Sequence, residues 1–247
     1  VFPNSPLWEL SLLILMTVFY IASGGIRVVA GVCFWCVVLP TVLLVTLYFP
    51  LKYAHWNNFL PLFNHRARDY AASAYHALPL FLGMEFILVY YPFIQNNEKS
   101  QKWAHVGAIH TTAICLIIGA VTFAYLNVVQ LEHAVWPTLI LSKIIRIPFI
   151  DRFDYIYIFA WFAVILTACS VAMWSGTRLL KRLTGWKARP ALWMTGIAAF
   201  AGMYFLKEPM TMEWLQTRMT WLGGGLLYGY LPLLAAWVGM ARLLRGR

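Results

Sequence analysis

Long apolar stretches recur along this chain at lengths that match a lipid bilayer. Each holds roughly 20 residues with few charges, which is what an α-helix needs to cross the hydrocarbon core. There are seven, the sixth the shortest, at residues 8–25, 28–49, 70–92, 104–126, 155–176, 190–206 and 221–241. Membrane β-strands alternate apolar and polar residues, whereas these stretches are apolar on both parities. The pattern predicts an all-α polytopic membrane protein with one transmembrane domain over residues 1–247.

Composition excludes a soluble globular domain. The chain is 62% hydrophobic and 11% charged, whereas soluble domains are about 45–50% apolar and about 25% charged. We assign the basic residues behind its net charge of +10 to the loops, where Lys and Arg report the orientation of a membrane protein. The lipid bilayer is therefore an expected partner, and nucleic acid is not.

Basic residues predict which side of the membrane the loops occupy. Five lie between Arg178 and Arg189 and three between Arg242 and Arg247, so both regions should be cytoplasmic, as should the C-terminus. This topology places eleven of the 19 basic residues inside and the N-terminus outside. We interpret the chain as the C-terminal part of a longer protein. A protein of seven spans with its N-terminus outside is the alternative.

The third stretch contains the residue that most invites a function, Glu85. A carboxylate at bilayer depth costs at least about 2.5 kcal/mol, so it should face the protein interior. Pro79 and Gly83 precede it and weaken the helix there. We therefore predict a discontinuous helix near Gly83, as in transporter substrate sites. Glu85 would be a proton carrier, a cation ligand or an acceptor for a substrate ammonium. Alternatively, it accepts hydrogen bonds from backbone groups freed at Gly83 or from a neighbouring Tyr.

The fifth stretch offers a second candidate surface. Tyr157, Trp161 and, less closely, Thr167 lie toward one side of the helix. Aromatic rings and hydroxyls of this kind can close a small polar pocket. A packing stripe is the alternative. Trp161 and Thr167 are thus candidate ligand-binding residues.

Motifs for catalysis or metal binding are lacking. The sequence has no H-E-x-x-H, G-x-S-x-G or phosphate-binding Gly loop. His105 and His110 are five apart, which is a poor spacing for a metal pair on a helix. Cys33 and Cys36 have redox spacing but fit better as small core residues. No catalytic residue, metal or cofactor is predicted, and the protein is not expected to be an enzyme.

Segments between and within the spans carry further predictions. Residues 132–148 form a helix-period stretch bounded by prolines, which favours a surface or re-entrant helix. The segment from Lys207 to Arg218 indicates another short external helix. In the last span, Gly225 and Gly229 match the G-x-x-x-G spacing of close helix contacts. Packing inside the chain and dimerisation both explain it.

Several short segments along the chain combine into a recognisable pattern. They are residues 3–6, 25–27, 83–88, 92–93, 137–139, 142–143 and 147–154. The most specific of them contains the run Pro-Phe-Ile-Asp-Arg-Phe-Asp before the fifth stretch. In these segments, and over essentially its whole length, the chain resembles the spore germination permeases. These are the B subunits of nutrient germinant receptors, in the amino acid/polyamine/organocation (APC) transporter superfamily.

The resemblance implies a fold and a function. Such proteins have ten spans, so this chain would be a truncated APC/LeuT-like helical bundle of spans four to ten. Gly83 and Glu85 would belong to the broken helix at the ligand site, and Trp161 and Thr167 to its wall. The implied function is binding of an amino acid or similar nutrient in the spore inner membrane or bacterial cell membrane, with signalling through receptor A and C subunits. The alternative is an amino acid or cation transporter coupled to H⁺ or Na⁺.

Overall fold

Helices follow one another along the chain in a computed structural model, which describes residues 7–60, 64–145, 152–205 and 209–244. No strand occurs within these ranges, so the predicted all-α class is confirmed. The α-helices are α1 Leu7–Ser23, α2 Ile26–Leu43, α3 Tyr48–Leu51, α4 Ala67–Ala77, α5 Ile87–Tyr90, α6 Asn97–Tyr125, α7 Val128–His133, α8 Pro137–Ser142, α9 Asp154–Thr184, α10 Ala188–Phe205, α11 Pro209–Gly224 and α12 Leu231–Leu244.

Within the described ranges, four continuous helical segments are long and apolar enough to cross a membrane, and a bent pair of helices would make a fifth. The four are Ile26–Leu51, Lys99–Tyr125, Asp154–Thr184 and Met210–Ala241. The bent pair is Ala67–Phe81 with Met84–Phe93. Glu9–Ser23 is a shorter apolar helix. The protein is therefore an integral membrane protein, and the count of seven spans in one domain stays a prediction.

Large apolar side chains point outward along these helices. Met16 is 66% exposed and Leu80 is 77% exposed. Lipid tails are as apolar as leucine, so spans gain nothing by hiding such side chains from the membrane. Helix contacts in a membrane depend instead on close packing and on hydrogen bonds between helices.

The chain divides into two units, which are described separately. The first comprises Val1–Leu15, His65–Val89 and Thr177–Arg247. In it, Thr177 of α9 contacts Thr195 of α10 through their hydroxyl oxygens, 3.4 Å apart. The second comprises Met16–Asn64 and Tyr90–Gly176.

The second unit has a small apolar core between α6, α8 and the segment that follows α2. Leu47, Val121 and Leu141 are buried there. Leu141 lies in α8, so part of the stretch predicted as a surface or re-entrant helix is packed inside the protein. That stretch holds the last two residues of α7 and all of α8, because Ala134 is extended and Trp136 before Pro137 is not helical, with φ −136° and ψ 76°.

The last two predicted helices form one rod in the described chain. A six-residue π-helical segment, Gly225–Tyr230, joins α11 to α12 without a turn. The prediction of a separate external helix over Lys207–Arg218 is therefore wrong for its described part, residues 209–218. Gly224 keeps helical angles, with φ −61° and ψ −44°, so glycine does not end the helix here. Residues 1–6, 61–63, 146–151, 206–208 and 245–247, on which parts of the predictions above fall, lie outside the described ranges.

Candidate functional site

The third apolar stretch is broken at Gly83, as predicted. Residues 67–81 and 84–93 form two helical pieces that bend by 43°. Leu82 is extended, with ψ 143°, and Gly83 has φ +110°. A positive φ of this kind suits glycine and strains other residues. Pro79 contributes because it lacks the N–H of a continuous helix.

The side chain of Glu85 folds back toward the break and accepts a hydrogen bond from one backbone N–H group there. The N–H of Gly83 donates to Oε2 of Glu85 over 2.7 Å. Glu85 is half-buried, and among the described residues its carboxylate has no other polar partner. A negative charge in the first turn of a helix is also favourable to the helix dipole. Glu85 thus has the structural role considered above, as an acceptor for a backbone group freed at Gly83. Its other carboxylate oxygen accepts no hydrogen bond from the described residues.

Two more backbone donors lie at the same break. The N–H groups of Met84 and Glu85 have no backbone acceptor within the described residues. Unsatisfied N–H groups are usual where a helix begins, and ligands or water commonly satisfy them. The break therefore presents a carboxylate oxygen and two N–H donors within a few residues.

Glycines of α11 pack against the segment just before the break. A Cβ added to Gly223 would overlap the side chain of Leu82, and one added to Gly224 would lie 3.4 Å from Leu78. Among the described residues, Gly225 and Gly229 have no such neighbour within 4 Å. Close packing inside the chain thus involves Gly223 and Gly224, directly before the π-helical segment, whereas the part of the chain that the structure describes shows no close contact of the predicted Gly225–Gly229 pair. π-helical segments are rare in proteins as a whole, and those that occur are often found at functional sites.

Trp161 and Thr167 lie in the second unit on α9, and the structure gives each its own partner. The Trp161 ring packs edge-on against Trp136, with centroids 4.6 Å apart. The Thr167 hydroxyl donates to the carbonyl of Val164 at 2.7 Å, within its own helix. Six helical residues separate the two side chains by about 120° around the axis, so the helix does not bring them together. Their roles in ligand binding stay predictions.

Two hydrogen bonds between helices of the second unit were missed from sequence. Thr41 donates to the carbonyl of Val37 at 2.7 Å, so its only hydroxyl hydrogen is used. Nε2 of His110, 3.1 Å from that oxygen, must then be the donor. This places His110 inside a span with a defined partner on α2. A polar residue inside a span indicates that His110 has a partner, but only the structure shows that this partner is Thr41.

The second bond involves Tyr157, which was read as part of a polar face. Thr46 donates to the carbonyl of Leu43 at 2.6 Å. The phenol oxygen of Tyr157 lies 2.5 Å from the Thr46 hydroxyl oxygen and 3.4 Å from the same Leu43 carbonyl, so the two hydroxyls share one hydrogen bond and one carbonyl acceptor. No group of three or more His, Cys, Asp or Glu that could hold a metal occurs in the ranges that the structure describes.

A membrane helix that is broken beside a carboxylate is a feature shared by many transporter folds. The sequence model described as spore germination protein matches residues 1–211. The chain belongs to this family.

Two Bacillus cereus relatives are similar to it. Spore germination protein GerQB is 34% identical over 233 residues, which is 94% of this chain and 65% of that protein. Spore germination protein GerLB is 30% identical over 117 residues, 44% of this chain and 30% of that protein. The chain thus spans less than two thirds of GerQB. No solved structure matches it.

Proposed function

We propose that the chain is part of a permease-like receptor subunit that binds an amino acid or similar nutrient and signals germination from the spore inner membrane. Membership of the spore germination protein family supports the process. The broken span supports the binding function, because such breaks build ligand sites in related architectures. The observation that carries the proposal is the Gly83 break with the Glu85 carboxylate.

The groups at the break suit a zwitterion. The free oxygen of Glu85 is an acceptor for a ligand ammonium, and charged hydrogen bonds of this type are the strong ones. The N–H groups of Met84 and Glu85 are donors for a ligand carboxylate. An α-amino acid carries both groups on one carbon atom, so it matches an acceptor and donors that lie this close together.

Signalling requires that the ligand binds one conformation more tightly than another. The break provides a hinge, since Gly83 is free of neighbours within 4 Å of an added Cβ while Leu82 beside it is packed on Gly223. A ligand held across the break would favour one angle between its two halves. Receptor A and C subunits are the proposed recipients of that change.

Glu85→Gln in the full-length protein tests the proposal. Gln keeps the shape and an acceptor for the Gly83 N–H but removes the charge. Loss of a charged hydrogen bond of about 1.5–3 kcal/mol should raise the amino acid concentration for half-maximal germination by about ten- to a hundredfold. Glu132→Gln, at the exposed end of α7, is the matched control and should leave the response unchanged. An unaltered dose response in Glu85→Gln spores with normal protein level would refute the role of Glu85.

The same carboxylate favours a second candidate, a transporter in which Glu85 couples movement of an amino acid or cation to H⁺ or Na⁺. Uptake of labelled amino acids into vesicles carrying the full-length protein separates the two. A receptor binds its ligand without concentrating it. Concentrative uptake that Glu85→Gln abolishes would establish the transporter instead.

A further inference from the structure

The turn between α9 and α10 has a geometry and composition that the proposed nutrient site does not use. Gly185 has φ +71°, its N–H donates to the carbonyl of Lys181 at 3.0 Å, and the N–H of Trp186 donates to the Thr184 hydroxyl at 3.3 Å. The chain reverses between Thr184 and Ala188, since Thr177 of α9 and Thr195 of α10, each seven residues from the turn, are in contact. The C-terminal end of α9 and the N-terminal end of α10 therefore lie at the same level along the two helix axes.

This level lies at the edge of the bilayer. α9 has 31 residues, a length of about 46 Å at the standard rise. The hydrocarbon core is only about 30 Å thick. Because the apolar part of α9 precedes Thr177, the excess length falls at its basic end. The turn is thus placed among lipid headgroups.

Positive charge is concentrated at the turn without compensation nearby in sequence. Lys181 and Arg182 end α9, Lys187 and Arg189 begin α10, and residues 155–207 contain no Asp or Glu. The first pair is explained by the helix dipole, which favours cations at a C-terminus. The second pair is not, because the dipole disfavours cations at the start of α10 and that first turn has no acidic residue. An anion from outside the chain would offset this repulsion.

Apolar side chains lie among these charges. Leu183 is 84% exposed and Trp186 is 42% exposed. In a solvated basic loop this apolar surface would stay in water, at a free-energy cost of about 25 cal/mol per Å². At the headgroup boundary the same surface contacts acyl chains, and tryptophan is enriched there. The combination distinguishes a lipid surface from a soluble acidic partner.

We infer that the α9–α10 turn binds the headgroups of anionic phospholipids in the leaflet that it faces. Lys187 and Arg189 contact the phosphates with Lys181 and Arg182, while Leu183 and Trp186 enter the acyl boundary. Basic residues next to a membrane contribute about 1 kcal/mol each toward anionic lipid, which corresponds to about fivefold in affinity per charge.

Native mass spectrometry of the full-length protein tests this inference. The protein is mixed with phosphatidylglycerol or phosphatidylcholine of identical acyl chains, and bound lipids are counted. We expect more phosphatidylglycerol than phosphatidylcholine adducts, and a loss of that preference in K187Q/R189Q. The matched control is K99Q/K102Q, which removes two exposed charges at the start of α6, next to Glu98 in sequence.

Three outcomes would overturn the inference. The first is equal binding of the two lipids, and the second is an equal loss in both double variants. The third is full competition by glycerol phosphate, which lacks acyl chains and would indicate a simple phosphate site. Circular dichroism of each variant shows whether it folds, and L183S provides a second variant that leaves every charge in place. L183S should weaken adducts of both lipids while keeping the preference for phosphatidylglycerol.

Discussion

Gly83 adopts a backbone angle that constrains which residues can replace it. Its φ is +110°, and an added Cβ would meet no atom within 4 Å, so alanine would be strained rather than crowded. Such strain costs about 1–3 kcal/mol. Gly83→Ala should lower the midpoint of thermal unfolding in detergent by about 2–4 °C per kcal/mol, measured by tryptophan fluorescence.

Gly107→Ala is the matched control for Gly83→Ala. Gly107 lies within α6, also has no neighbour within 4 Å, and has no positive φ. Alanine is favoured over glycine by about 1 kcal/mol inside a helix, so this variant should unfold at the same or a higher temperature. Equal shifts in the two variants would contradict the strained conformation at Gly83.

The bond between Thr41 and His110 gives a second prediction at this scale. Thr41→Val leaves the Nε2–H of His110 without its acceptor, at a cost of about 1–3 kcal/mol. Thr41→Ser keeps the hydroxyl and should restore stability. Thr111→Val is the control, because the Thr111 hydroxyl donates to the Gly107 carbonyl of its own helix. A thermal midpoint equally low in Thr41→Ser and Thr41→Val would show that the hydroxyl is not the cause.

Single residues also mark the limit of what sequence could predict. Pro79, Gly83 and Glu85 signal the break through local chemistry alone, and the break is where they predict it. The partners of Tyr157 and Trp161 are Thr46 and Trp136, which lie far away in sequence. Helical periodicity gives the direction of a side chain along its own helix, but it carries no information about the neighbouring helix.

Among the helices, α11 and the segment before the break are joined by a close contact. Gly223→Ala would force its Cβ into Leu82, so we expect a lower unfolding midpoint and a weaker germination response. Gly225→Ala, two residues on with open space, should be tolerated. The double variant Gly223→Ala with Leu82→Ala should recover part of the response, since the opposing methyl groups are removed. Tolerance of Gly223→Ala alone would contradict the contact.

The continuity of α11 and α12 could not be predicted from composition. Charged residues such as Glu213 and Arg218 indicate an end to the apolar stretch, and the last span is predicted to begin at Trp221, just before three successive glycines. In the structure the glycines are helical, and the π-helical segment accommodates the change instead. Glycine permits a turn without requiring one, so its outcome is decided by packing.

For the molecule as a whole, the distribution of basic residues predicts its orientation. The α9–α10 turn should face the cytoplasm and the connection before α4 should face outward. In a cysteine-free background, a membrane-impermeant maleimide should label Asn57→Cys in intact cells. Ala188→Cys should be labelled only after the membrane is opened. The reverse pattern would invert the topology.

The helical class of the whole chain could be predicted directly from the sequence, whereas the number of stretches that cross the bilayer could not. Apolar stretches predict the helical class directly, because only internally hydrogen-bonded segments are stable in lipid. Which stretches cross the bilayer depends on length and bending. The bent third stretch counts as one span or as a re-entrant loop, and its composition is the same in both cases.

The π-helical segment Gly225–Tyr230 has a consequence for sequence change in this family. A π turn accommodates one more residue than the α turn it replaces, and each helical residue advances the direction of side chains by about 100°. Because the wider turn takes up the extra residue, removing one residue there would restore the regular spiral and leave the side chains of α12 in nearly the same direction relative to α11. A deletion of one codon at this point would therefore keep the surface of the last helix that meets lipid, whereas the same deletion in a regular part of the rod would rotate that surface by about 100°.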